Sequence, residues 1–245
     1  MKAQQLLSLT RQAVQEYNMI QKNDCIAVGI SGGKDSLTLL YALAKLKDFY
    51  PLPFSVKAIT IDVGFENMNF EPVVQFCKDL GVEYVIEKTQ IADIVFKERK
   101  EKNPCSLCSK MRKGSLNEVI KSMGCNKVAY AHHKDDVIET MMLSLLYEGR
   151  LHTFSPVTHL DKANIDIIRP LIFVNEAEVK GFVNKYNLPV VHSTCPADGN
   201  TKREYVHQII KNLNADNPGV KNRMFTAVYE STLSGWNKDN LDCKY

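Results

Sequence analysis

A chain of 245 residues, 44% hydrophobic and 24% charged, has enough apolar material for one sizeable core and is too apolar to stay disordered. A net charge of +3 excludes a polycation, and no apolar run reaches the roughly 20 residues a membrane helix needs. Arg11 and Glu16 interrupt any signal-peptide core, so a cytosolic setting without membrane contact is expected, and the seven cysteines are expected reduced rather than paired as a disulfide scaffold.

Leu6, Leu9, Ala13, Val14, Tyr17 and Ile20 recur at helical spacing, so the chain opens with a helix that Asn23 and Asp24 break. Cys25–Ile30 is a short apolar run of buried-strand type, and Ser31–Ser36 is a glycine-bearing turn before a helix over Leu37–Leu46. The alternation continues with a strand at Phe54–Ile61, a helix at Glu71–Leu80, a short strand at Glu83–Ile86 and a helix reaching about Glu101. After Pro104 come a helix over Ser109–Met123, a strand at Lys127–Ala131 and a helix over Asp135–Tyr147 closed by Gly149. A last strand at Ile165–Ile168 and helices at Glu176–Tyr186, Thr201–Leu213 and Pro218–Leu233 complete the reading. Strand and helix alternating in this way predict a three-layer α/β fold with a parallel sheet of about five strands and ligands at the carboxyl ends of the strands.

Ser31-Gly32-Gly33-Lys34-Asp35-Ser36 stands between a predicted strand and a predicted helix, and that placement makes it a phosphate loop. The glycines allow a tight turn that brings backbone N–H groups to an anion, and the helix N-terminus aims its dipole at the same point. Lys34 adds a point charge, Ser31 and Ser36 add hydroxyls, and Asp35 suits a metal or an orienting role. A Walker A loop would need glycine where Val28 stands and Ser or Thr where Asp35 stands. A bland reading, a glycine turn with a serine cap, would serve an isolated Gly-Gly.

The hexapeptide resembles the signature of the PP-loop ATP pyrophosphatases, which cleave ATP between the α- and β-phosphates. The resemblance implies a Rossmann-like, adenine nucleotide alpha hydrolase-like fold and an adenylation step. It also implies that ATP is held by Ser31–Ser36, with adenine against Ile30 and Ile61. The block His132-His133-Lys134-Asp135-Asp136 with Glu139 follows a predicted strand and so falls at the same sheet edge. Asp135 and Asp136 suit Mg²⁺, although Asp135 as a helix cap and His132 as a packed ring would be the plain structural reading.

Cys105-Ser106-Leu107-Cys108 is spaced for two thiolates on one metal, at a helix start that lowers thiol pKa. A zinc ribbon would need a second such pair, which the chain lacks, and a thioredoxin-type redox pair would need another strand–helix context. Cys105–Gly114, the HHKDD block, Ile168-Arg169-Pro170-Leu171 and the distant Cys195 together are similar to the tRNA 2-thiocytidine synthetase (TtcA-like) group, over about Asp24 to Arg203. That similarity implies a [4Fe–4S] cluster on Cys105, Cys108 and Cys195, with one iron left without a protein ligand. Where the group commonly has another cysteine, this chain has His192. Cys25, Cys77, Cys125 and Cys243 are given no role.

Seven basic side chains (Lys97, Arg99, Lys100, Lys102, Lys110, Arg112, Lys113) bracket the cysteine pair against only Glu98 and Glu101, and Lys202, Arg203, Lys211, Lys221 and Arg223 follow Cys195. Such clusters bind phosphate backbones, while isolated runs are more often solvated helix faces. Tyr147, Phe154, Tyr205 and Phe225 could stack on bases, with core packing the plainer fate. The expected organisation is an N-terminal helix (1–23), a PP-loop domain with the cluster cysteines (24–200) and a C-terminal helical extension (201–245). The expected activity is an ATP- and Mg²⁺-dependent sulfurtransferase that adenylates and thiolates a pyrimidine in tRNA, using a sulfur donor protein or free sulfide. Lys34, Asp35, Asp135 and Asp136 would serve the reaction, and a homodimer is allowed. The alternatives are a PP-loop enzyme acting on a small molecule, a non-catalytic nucleotide and cluster sensor, and zinc or no metal at the three thiols.

Overall fold

The computed structural model describes residues 1–66, 68–99, 104–191, 194–195 and 202–236. The expectations for Lys100, Glu101, Lys102, His192, Thr201 and Cys243 therefore lie outside the described residues.

Strands β1 (Cys25–Gly29), β2 (Ser55–Asp62), β3 (Glu83–Lys88), β4 (Lys127–Ala129), β5 (Val157–Leu160) and β6 (Ile165–Ile168) form one sheet in the order β3-β2-β1-β4-β6-β5. All pairings are parallel except β5 with β6, which is antiparallel. The expected parallel sheet is thus present, with a sixth, antiparallel edge strand added. Val157–Leu160 carries little strand signal in its sequence because it is only four residues long, lies at the edge and buries none of its side chains fully.

Helices α1 (Ala3–Glu16), α2 (Lys34–Leu46), α3 (Glu71–Asp79), α4 (Pro104–Ser122), α5 (Lys134–Glu148), α6 (Glu176–Tyr186), α7 (Lys202–Asp216) and α8 (Val220–Tyr229) cover the sheet. One face buries Val28 under Leu6, Leu37, Leu40, Val137, Phe182 and Val228, so both terminal regions share this core. The opposite face buries Ile59 and Ile61 under Leu116, Val119 and Ile120 of α4. The helix expected to reach Glu101 is instead a π-helical turn at Asp93–Glu98, which sets Phe96 toward the ligand crevice.

The chain runs from β1 to β2 and β3 on one side and to β4 and β6 on the other. The strand order therefore reverses between β1 and β4, and a crevice opens beyond their carboxyl ends. α2 and α5 both start there, because the glycine turn after β1 and the His133 cap after β4 end the two neighbouring strands at the same level.

Candidate active site

The crevice is a cavity of about 730 Å³, within the size range of small-molecule sites. Its walls divide by chemistry. Ile30, Ile59 and Ile61 make an apolar side, while Ser31, Asp35, Ser36 and Asp136 make a polar one. Cys105, Cys108 and Cys195 stand on the same cavity with Arg112 and Lys113, and Tyr130, His132 and Arg169 line its other side.

The phosphate loop braces itself. Ser36 Oγ donates to the Gly33 carbonyl at 2.9 Å, and the Gly33 N–H donates to Ser31 Oγ at 3.2 Å. Gly32 has φ of +82°, which glycine tolerates far better than other residues. A Cβ there would stand 3.0 Å from Val191 Cβ, and the Gly32 carbonyl accepts the Val191 N–H at 2.9 Å. The loop is thereby tied to the segment that leads to Cys195.

Lys34 does not line the cavity. Its ammonium binds Asp35 at 2.9 Å and Glu176 at 3.3 Å. Burial would lower its pKa, but these two carboxylates hold it above the ordinary lysine value. Burial would likewise raise Glu176, yet Lys180 and Lys34 bring it down to about 2.

The adjacent aspartates part company. Asp135 is buried away from the cavity, where it ion-pairs with Lys221 and accepts the Glu176 N–H at the start of α6 at 2.7 Å. Asp136 lines the cavity and accepts the His133 N–H at 2.9 Å. Of the two, Asp136 lines this cavity and Asp135 does not, since helical rotation sends consecutive side chains to different sides. Arg203 donates to Asp136 and to Glu139, each at 3.2 Å, and His207 donates to Glu139 at 2.8 Å. Asp35 Oδ1 is buried without a hydrogen-bond partner, 3.6 Å from His133 Nε2. An unpaired carboxylate oxygen at a phosphate loop, with Asp136 on the same cavity, is a donor set that fits Mg²⁺.

His132 and Arg169 gained no separate role from the sequence. Arg169 is buried, with bonds to the Ser155 carbonyl at 2.6 Å, Thr158 Oγ1 at 3.0 Å and His132 Nδ1 at 3.2 Å. Burial lowers its pKa to about 10. Burial, then Arg169, takes His132 down to about 4, so the imidazole is neutral at pH 7. Because Nδ1 accepts from Arg169, the ring proton sits on Nε2. The plain reading of His132 as a packed ring holds as well, for it lies 4.7 Å from the Phe154 ring. The one signal for Arg169 was the Ile168–Leu171 stretch, where arginine follows an apolar strand.

Cys105 is exposed, Cys108 and Cys195 are half-buried, and no disulfide joins any of the six described cysteines. Burial raises the Cys108 thiol; Arg112 opposes this, and Cys195 and Cys105 add to it. Among the described residues no three His, Cys, Asp or Glu side chains converge as for a single metal ion. A four-iron cluster is several ångströms across and takes more widely spaced thiols, so an all-thiol set around one cavity suits it in donor chemistry.

The basic side chains also divide. Lys110, Arg112 and Lys113 are exposed on α4 beside the cysteine pair. Arg203 and Lys221 serve the internal carboxylates, and Arg223 binds the Pro218 carbonyl and Asn217. Tyr147 and Tyr205 are exposed, whereas Phe154 is half-buried and Phe225 is buried.

Fold and crevice define an α/β nucleotide-binding domain with a phosphate loop, a paired-carboxylate wall and a thiol-bearing wall. Residues 4–213 match the PP-loop domain. The tRNA-cytidine(32) 2-sulfurtransferase of Citrifermentans bemidjiense is 34% identical over 88% of this chain and 86% of its own length. That of Pelobacter propionicus is 35% identical over 88% and 81%. Among solved structures, the U34-tRNA thiolase NcsA of Methanococcus maripaludis, with its [4Fe-4S] cluster, superimposes with a TM-score of 0.73 and 26% identity, over 90% of this chain and 76% of that one. The chain belongs to the PP-loop family, in the group of the tRNA-cytidine 2-sulfurtransferases.

Proposed function

We infer that this protein is an ATP-dependent sulfurtransferase that replaces the C2 oxygen of a cytidine in tRNA with sulfur. The observation that carries the reading is a single cavity lined by both the phosphate loop and the thiols Cys105, Cys108 and Cys195. ATP enters with its base against Ile30, Ile59 and Ile61 and its phosphates on the loop. The C2 oxygen attacks the α-phosphorus, the α–β bond breaks, and pyrophosphate leaves. Sulfide then attacks C2, and AMP leaves with the oxygen.

The loop N–H groups and the α2 dipole hold the charge that builds on the phosphates. Asp35 and Asp136 would hold Mg²⁺. Lys34, anchored by Asp35 and Glu176, acts as a positioning charge that keeps Asp35 in place. The Nε2–H of His132 gives the cavity a neutral donor. Cys105, Cys108 and Cys195 would hold a [4Fe–4S] cluster, which supplies, when bound, an iron with no protein ligand that can take exogenous sulfide. Arg112 and Lys113 receive RNA phosphates as the base is turned into the crevice. The sulfur donor is a carrier protein or free sulfide, the setting is the cytoplasm, and position 32 is the first place to look for the thiolated cytidine.

Thiolated-nucleoside analysis of tRNA from a deletion strain tests the substrate. Loss of 2-thiocytidine supports it, and an unchanged profile ends it. Anaerobic pyrophosphate release with RNA separates an enzyme from a nucleotide sensor, which would release none.

A further inference from the structure

Two cysteines outside the crevice form a second thiol site. Cys25 opens β1 and Cys125 follows α4, and their Sγ atoms lie 3.0 Å apart although 100 residues separate them in the chain. This is the far end of the sheet from the cavity. Five residues of β1 carry the chain roughly 16 Å to the phosphate loop. α4 runs on from Cys108 for 14 residues to Ser122, roughly 21 Å of helix, before the chain reaches Cys125.

The backbone around the pair is already set. The Cys25 N–H donates to Asn126 Oδ1 at 2.9 Å, and the Asn126 N–H returns a bond to the Cys25 carbonyl at 3.1 Å. Asn126 Nδ2 reaches Asp24 at 2.7 Å, and the Cys125 N–H is held by the Ile120 carbonyl at 3.0 Å. A disulfide needs sulfurs about 2.05 Å apart, so closing it calls for a shift of about 1 Å and no refolding.

We propose that Cys25 and Cys125 are a reversible dithiol–disulfide site, oxidised by a low-molecular-weight disulfide, which clamps the foot of α4 to the central strand.

The two thiols differ in burial. Cys25 is half-buried, while Cys125 is buried. Burial, reinforced by Cys25, pushes the Cys125 thiol up to about 12, with Lys57 opposing. Cys25 is therefore the entry thiol. Its thiolate attacks one sulfur of the reagent disulfide and expels a thiolate, leaving a mixed disulfide. Cys125, as thiolate, then attacks Cys25 Sγ and expels the second reagent thiolate. Two protein thiols are oxidised, one reagent disulfide is reduced, and the two protons end on the released thiols. Lys57 Nζ, bonded to the Met123 carbonyl at 3.2 Å and to Glu83 at 2.9 Å, is the cation nearest the pair, and the Glu83 carboxylate opposes its effect on Cys125.

The test treats the full-length, anaerobically reduced protein with oxidised glutathione, quenches it with acid, alkylates it and digests it without reduction. The expected product is a Cys25 peptide joined to a Cys125 peptide, about 2 Da lighter than the two thiols and released by dithiothreitol. Recovery of both residues singly alkylated, or of Cys25 carrying only glutathione, overturns the proposal, whatever happens at Cys105, Cys108 and Cys195. The closed loop should also raise the Tm of the oxidised wild type by several degrees over its reduced form. Cys25→Ala, a change at a half-buried strand end, should remove that rise, and an equal Tm in oxidised and reduced wild type overturns the clamp.

Discussion

Gly32 shows how a single backbone angle reaches into chemistry. Its φ of +82° strains any side chain, and a Cβ there would crowd Val191 at 3.0 Å. Gly32→Ala therefore costs about 1–2 kcal/mol in backbone strain and pushes the loop from Val191. ATP turnover should fall at least about tenfold while circular dichroism stays native, and near-wild-type turnover would reject the role given to this loop. His132 makes a second prediction through proton linkage. The unfolded chain binds its proton near pH 6.5 and the folded chain near 4, so between these values only the unfolded state is protonated. Stability then declines as pH drops from 6.5 towards 4, by up to about 3 kcal/mol from this one residue. Denaturant titrations at pH 7 and 4.5 should show a smaller difference for His132→Gln, which keeps an acceptor for Arg169.

Among the elements, α7 is the one whose contribution reaches the crevice from outside. Its Arg203 grips Asp136, Glu139 and Thr140 on α5, and His207 secures Glu139. These bonds hold the carboxylate that lines the cavity against the one that does not. Arg203 is 45% exposed, so solvent screens its pairs and they contribute little to stability. Arg203→Ala should lower Tm by no more than about 3 °C. It should nevertheless reduce kcat for pyrophosphate release several-fold, and an unchanged kcat would show that Asp136 needs no such support. α4 has a divided design. Leu116, Val119 and Ile120 bury its second half, while Cys105, Lys110 and Arg112 stand exposed on its first. The helix thus offers thiols and charge at the crevice while its other end is packed on the sheet.

At the level of the molecule, two aligned faces of one sheet leave their strand ends free to gather groups from distant segments. Protein purified without oxygen should contain iron and acid-labile sulfide. Cys105→Ala, Cys108→Ala or Cys195→Ala should each abolish both contents and sulfur transfer while ATP still binds. A stable, active cluster in Cys195→Ala would overturn the three-thiol assignment. The strand–helix alternation, the phosphate loop and the cysteine spacing were readable from residue order, because periodicity, glycine turns and helix caps depend on neighbours within a few positions. The split between Asp135 and Asp136 was not, since it turns on Lys221 and Arg203 from beyond residue 200. Neither was the bond from Arg169 to His132, nor the meeting of Cys25 with Cys125, as both need chain segments that only packing brings together. Local order dictates which elements form and which chemistry they carry; long-range burial and charge pairing dictate which of those groups face the same cavity.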